Sequence, residues 1–159
     1  MILTTQQIRQ LNNITTNALN QLYGNDLDLV SRGGMERSLS FRFGLYFHNL
    51  ITDNDWLSDF NIDLEYNKNG NDTKRTMRRP RGVQPDFTLH RRGNNDENIL
   101  IIEFKGYWDR RNRQFDRSKV EDFVNQNATY RYGLGLLVEL NENGYVVESI
   151  YDYTANDGA

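Results

Sequence analysis

Asp86, Glu103 and Lys105, near the middle of the chain, are the residue types that hold a divalent cation beside an amine. They occur as Pro85-Asp86 and Glu103-Phe104-Lys105. Between them lies Gly93-Asn94-Asn95-Asp96, a run that favours a tight turn, so the segment reads as a β-hairpin. Pairing Asp86 with Glu103 sets Thr88 against Ile101 and His90 against Ile99, and centres the turn on Asn94-Asn95. The two carboxylates then stand opposite one another with Cβ atoms about 5 Å apart. Lys105 shares the face of Glu103 because strand side chains alternate. Leu100, Ile102 and Phe104 take the other face, which makes this strand apolar on both sides and central. Opposed carboxylates repel unless a cation joins them, and all-oxygen ligands select a hard ion, Mg²⁺ or Mn²⁺. The Phe104 carbonyl is a natural further ligand. Lys105 is placed to orient or deprotonate a water while the metal neutralises phosphate charge, which is phosphodiester-cleaving chemistry.

Glu36 is the fourth piece. It lies within the helical arc of Leu39, Phe43, Phe47 and Leu50, so it points toward the core side, where a carboxylate needs a partner such as a metal or its water. The alternative is a first-turn glutamate favoured by the helix dipole. Basic residues surround the set. Residues 68–119 hold 14 of the 19 Lys and Arg against seven carboxylates, a net +7, which leaves −10 for the remainder. Arg75, Arg78, Arg79, Arg81, Arg110, Arg111 and Arg113 are the expected phosphate grips, a use that positions nucleic acid without reading its sequence. For any one arginine alone, loop solvation is the competing reading.

The elements that position these residues follow from periodicity. Helices are expected over about 5–23, 35–51 and 115–129, with Ser31-Arg32-Gly33-Gly34 as a break and Val120, Phe123, Val124 and Ala128 inward on the last helix. Ile62, Leu64 and Tyr66 alternate as a half-buried strand, and strands are expected over 83–90, 98–105, 132–140 and 145–151. Residues 67–82 read as a mobile basic loop or hairpin tip, and Asn141-Glu142-Asn143-Gly144 as a turn. The order α-α-β-β-β-α-β-β predicts an α/β fold with a mixed central sheet flanked by helices.

At 159 residues with 37% apolar content, the chain suits one domain over 1–159, with a core over about 31–153. It contains no cysteine, which excludes disulfides, thiolate zinc sites and cysteine nucleophiles. No signal-peptide pattern and no membrane-length apolar run is present, so a cytoplasmic protein without membrane association is expected.

The pattern of Glu36 in an early helix, Pro85-Asp86, then Glu103-Phe104-Lys105, resembles the PD-(D/E)XK nuclease superfamily over about residues 31–140. The resemblance implies a restriction-endonuclease-like fold with an α-β-β-β-α-β core. It implies that Asp86 and Glu103 bind metal, that Lys105 assists the water and that Glu36 completes the site. It further implies a Mg²⁺-dependent deoxyribonuclease with DNA as partner, and a homodimer is compatible with cutting both strands. Gln126 and Tyr130 have the Gln-x-x-x-Tyr spacing of exonuclease-like branches, with Asn127 where those carry an apolar residue. Lys119, on the same expected helix, is a phosphate-contact candidate. Glu65 reads equally as a site neighbour or a solvent-facing strand residue, and Trp108 as a base-stacking ring or a cover for a core edge. His48 and His90 read as structural. The competing functions are a non-cleaving nucleic-acid-binding or assembly protein, and a nuclease subunit that needs a partner.

Overall fold

The computed structural model describes residues 1–152; residues 153–159, including the end of the expected core, lie outside that range. The first apolar stripe becomes α1 (Thr5–Asn25), which buries Leu11, Ile14, Ala18, Leu19 and Leu22. A capping box starts it, with the Gln7 N–H donating to the Thr4 hydroxyl and the Thr4 N–H to the Gln7 side chain. A short helix, α2 (Leu27–Arg32), follows, too brief to show a period in sequence. It takes Ser31 and Arg32 from the expected break, and the turn falls to Gly33 and Gly34, both at positive φ. α3 (Glu36–Ile51) then buries Leu39, Phe43, Phe47 and Ile51.

β1 (Asn61–Leu64) stops short of Tyr66 because Glu65 takes φ 51° and turns the chain out of the strand. Residues 67–82 carry their own small ribbon, β2 (Lys68–Asn69) and β3 (Asp72–Thr73), separate from the main sheet. β4 (Phe87–His90) is shorter than the expected 83–90, since Pro85 has no N–H to give a ladder. β5 (Asn98–Gly106) is buried along its whole length, as its two apolar faces predict. α4 (Arg113–Val124) starts behind an Asn112 cap and ends at Asn125, so Gln126 and Ala128 lie beyond the helix expected to carry them. β6 (Leu134–Asn141) and β7 (Gly144–Ile150) close the chain as a hairpin about Glu142-Asn143.

The five-stranded sheet has the order β1-β4-β5-β6-β7, with β5 and β6 parallel and the other pairs antiparallel, so the fold is α/β with a mixed central sheet. Phe87, Thr88 and Leu89 pair with Ile102, Ile101 and Leu100, the register expected from opposing Asp86 to Glu103. His90 departs from it. A register shift after Leu89 sets His90 against Asn98 and not Ile99, because the chain absorbs one residue before the turn.

The two sheet faces have separate cores. Phe87, Leu89, Leu100, Ile102 and Phe104 pack against α1 and α3, with the Phe43 ring 5.3 Å from Phe87 and 5.1 Å from Phe104. Ile101 joins Val120, Phe123, Val124, Tyr130 and Tyr132 on the α4 side. Alternation therefore turns Glu103 and Lys105, in phase with Ile101, toward α4. Among the described residues no helix is long and apolar enough to cross a membrane.

Candidate active site

Beyond the Phe87–Ile102 pair, β5 runs on to Gly106 while β4 has not yet begun, and the Asp86 side chain fills the gap in the ladder. Its Oδ2 accepts the Phe104 N–H at 2.7 Å. In an extended strand a residue's N–H and C=O point to the same edge, so the Phe104 carbonyl lies on the Asp86 side. This end of the sheet forms the floor of an open cleft of about 760 Å³. Glu36 and Ser40 of α3 form one wall; Phe115, Asp116 and Lys119 of α4 form the other, with Arg111 just ahead of that helix.

The acids share one environment. Burial first, then the Asp86 charge, pushes Glu103 well above the ordinary carboxylate range, against the pull of Lys119. Asp86 is raised by burial, opposed by Lys119 and the Phe104 N–H. Burial and the Asp86 charge also raise Glu36, while Arg111 lowers it. All three line the cleft, and the Asp86 charge acts on each of the other two.

The amines are arranged differently from the expectation. Lys105 Nζ does not line the cleft; it is buried between Asp109 at 2.9 Å and Asp116 at 3.2 Å. Lys119, proposed from sequence as a phosphate contact, reaches down from α4 to ion-pair with Glu103 and donates to the Gln84 carbonyl at 3.1 Å. Strand Glu103-x-Lys105 and helix Asp116-x-x-Lys119 are therefore cross-paired, acid to amine. Sequence reasoning missed Asp116, although its signal was present: it precedes Val120 and Phe123 by four and seven residues, so it lies on the buried stripe of α4. Asp109, held well below its usual range by Arg111 and Lys105, gave no such periodic signal.

The basic candidates separate by position. Arg111 lines the cleft and pairs with Asp109 at 2.7 Å. Arg79 is clamped onto α4, pairing with Asp122 at 2.8 Å and donating to the Phe115 carbonyl and the Ser118 hydroxyl. Arg78 pairs with Glu121 and Asp122, and Arg113 with Glu139. Arg75, Arg81 and Arg110 are exposed and carry no ion pair among the described residues. Gln126 is remote from the cleft: it donates to the Val124 and Tyr132 carbonyls and accepts from the N-terminal amine. Glu65 lines the cleft and pairs with Arg37 at 2.7 Å. Trp108 covers a core edge, packed so closely on Gly106 that a Cβ there would fall 2.3 Å from its ring. His90 is buried against Asp63 at 2.8 Å, and His48 is exposed.

Asp86, Glu103, Glu36 and the Phe104 carbonyl supply oxygen alone, and Glu103 Oε1 is buried without a hydrogen-bond partner. Among the described residues no three His, Cys, Asp or Glu side chains already converge as a cation cage, and Lys119 supplies the positive charge beside Glu103. Comparison with protein-family models, curated proteins and solved structures finds no match to this chain.

Proposed function

We propose that the chain is a metal-dependent nuclease that hydrolyses phosphodiester bonds in DNA, on a restriction-endonuclease-like variant of the mixed α/β sheet. The observation that carries this reading is that Asp86, just ahead of β4, and Glu103 of β5 lie together at the floor of an open cleft with Glu36 on its wall, both floor carboxyls raised by burial. Asp86, Glu103, the Phe104 carbonyl and Glu36 are the groups that would hold Mg²⁺ or Mn²⁺. When bound, such an ion offsets negative charge on the phosphate and lowers the pKa of water.

The chain's own groups do the rest. Lys105 Nζ is paired with Asp109 and Asp116 behind the cleft lining, and Asp116 does line the cleft, so Lys105 acts on the attacking water through that carboxylate. Arg111, at the cleft rim, is placed to take a phosphate oxygen. In the hydrolysis a bond forms from water oxygen to phosphorus, the bond to the leaving oxygen breaks, and a water proton ends on that oxygen. One observation favours the non-cleaving alternative: Lys119 already neutralises Glu103, as in a site that needs no cation.

The test is incubation with linear, nicked, single-stranded and splayed DNA in Mg²⁺, Mn²⁺ or EDTA. Cleavage is expected only with metal, and Asp86→Asn, Glu103→Gln and Lys105→Ala are each expected to lower it at least about a hundredfold. Retarded migration of DNA with no cutting in either metal establishes the binding protein instead.

A further inference from the structure

Phe115 is an aromatic ring in the wrong place for a core residue. It is 57% exposed at the first turn of α4 and lines the cleft. Its position is nevertheless fixed. The Arg79 guanidinium lies 4.5 Å from the ring centroid, and that guanidinium is itself anchored by Asp122, Ser118 and the Phe115 carbonyl. With a cation against it and most of its surface still in solvent, the ring presents open π surface to the cleft. On α4 it stands one turn before Lys119, a spacing of about 5–6 Å between Cβ atoms, and Lys119 touches Glu103. A phosphodiester at the acids therefore carries a neighbouring base within reach of the ring. Met35, 39% exposed at the entry to α3, gives the facing wall an apolar lip. Trp108, the other aromatic near the basic segment, is committed to Gly106 and Gly33.

Resting on the nuclease reading, we infer that Phe115 is a stacking platform for an unpaired base beside the scissile phosphate, so that the substrate is single-stranded or splayed DNA. Inside a duplex each base is stacked on both faces, and a side chain gains such a contact only by unstacking it. At a flap, an overhang or a single strand the base face is free, and stacking on an aromatic ring contributes directly to binding. Because Phe115 selects unpaired structure and makes no base-edge hydrogen bond, the preference is for strandedness, with little dependence on sequence.

The test uses fluorescent single-stranded, splayed and blunt duplex DNA, bound in Ca²⁺ to wild type, Phe115→Ala, Phe115→Leu and Phe115→Trp. Wild type and Phe115→Trp are expected to bind the first two more tightly than blunt duplex. Phe115→Ala and Phe115→Leu are expected to lose roughly tenfold or more on unpaired DNA and less than about twofold on blunt duplex. Phe115→Leu keeps apolar bulk, so its loss reports the ring and not misfolding. A 2-aminopurine placed next to the cleavage site should be quenched by wild type and released in Phe115→Leu. If wild type cuts DNA but these variants bind every substrate as wild type does, or weaken on all equally, the platform is overturned and the nuclease stands. If wild type neither binds nor cuts any DNA, both fall.

Discussion

Lys74 is a buried ammonium held by rings where a carboxylate would be usual. Its Nζ lies 4.7 Å from the centroid of Tyr66 and between 5.7 and 5.8 Å from those of Phe123, Tyr130 and Tyr132, and it donates to the Tyr132 hydroxyl at 3.3 Å. Burial pushes its pKa down to about 8, with Asp63 pulling the other way. The unfolded chain binds that proton more tightly, so between about pH 8 and the ordinary lysine range it carries more protons than the folded one, and stability rises with pH. Below about pH 8 both states are protonated and the contribution is flat. Burial raises Tyr130 and Tyr132, which moves their ionisation away from this window. Urea unfolding between pH 7 and 10 should show the rise, and Lys74→Met should remove it. Asp116→Ala leaves Lys105 buried with one carboxylate fewer, and unfolding should become easier by about 2–3 kcal/mol. The acids and amines were legible as residue types on a strand and a helix stripe. Their cross-pairing was not, because it depends on how far α4 is slid along β5, and no local period encodes that offset.

The height of α4 above the sheet is set by a glycine. At Gly135 of β6, an added Cβ would meet Val120 at 2.2 Å and Val124 at 2.9 Å, so α4 lies on the sheet at a distance only hydrogen permits. Asp116 and Lys119 ride on the same helix. Gly135→Ala should lift α4, costing about 1–3 kcal/mol from overpacking and weakening the Lys119–Glu103 and Lys105–Asp116 pairs together. Val120→Ala in that background frees the space again. The double variant should therefore recover more stability than the two separate effects predict, a non-additivity readable by thermal melting. The same elements divide what sequence does and does not carry. β5 and α3 were legible almost to the residue because each carries a long apolar period. α2, β2 and β3 were not, being shorter than the windows in which a period is visible. The end of α4 was misjudged because Asn125 breaks it with an extended backbone, which Gln126-Asn127-Ala128 gives no sequence reason to anticipate.

Across the whole molecule, charge counted along the chain overstates charge available at the surface. Of the 14 cations in residues 68–119, nine are ion-paired among the described residues, and five of those nine lean on acids outside that window: Asp63, Glu121, Asp122, Glu139 and Glu148. Lys74 is enclosed by its rings. Lys68, Arg75, Arg81 and Arg110 remain as exposed cations with no ion pair among the described residues. The partners come from β1, α4, β6 and β7, which the fold brings under the basic segment and a linear count cannot see. A polyanion that draws on the four alone displaces few counterions, whereas one gripped by all 14 displaces many. For duplex DNA the slope of log affinity against log salt is about −0.9 per phosphate neutralised. Even with Arg111 added to the four, the slope for this protein should be no steeper than about −5, far from the value near −13 that the full count implies. Arg110→Ala and Arg81→Ala should each flatten it by about one, while Arg79→Ala, whose guanidinium is fixed to α4, should leave it unchanged and lower the melting temperature instead. A titration between 50 and 300 mM KCl measures this, and a slope near −13 would mean that the ion pairs open on contact with DNA.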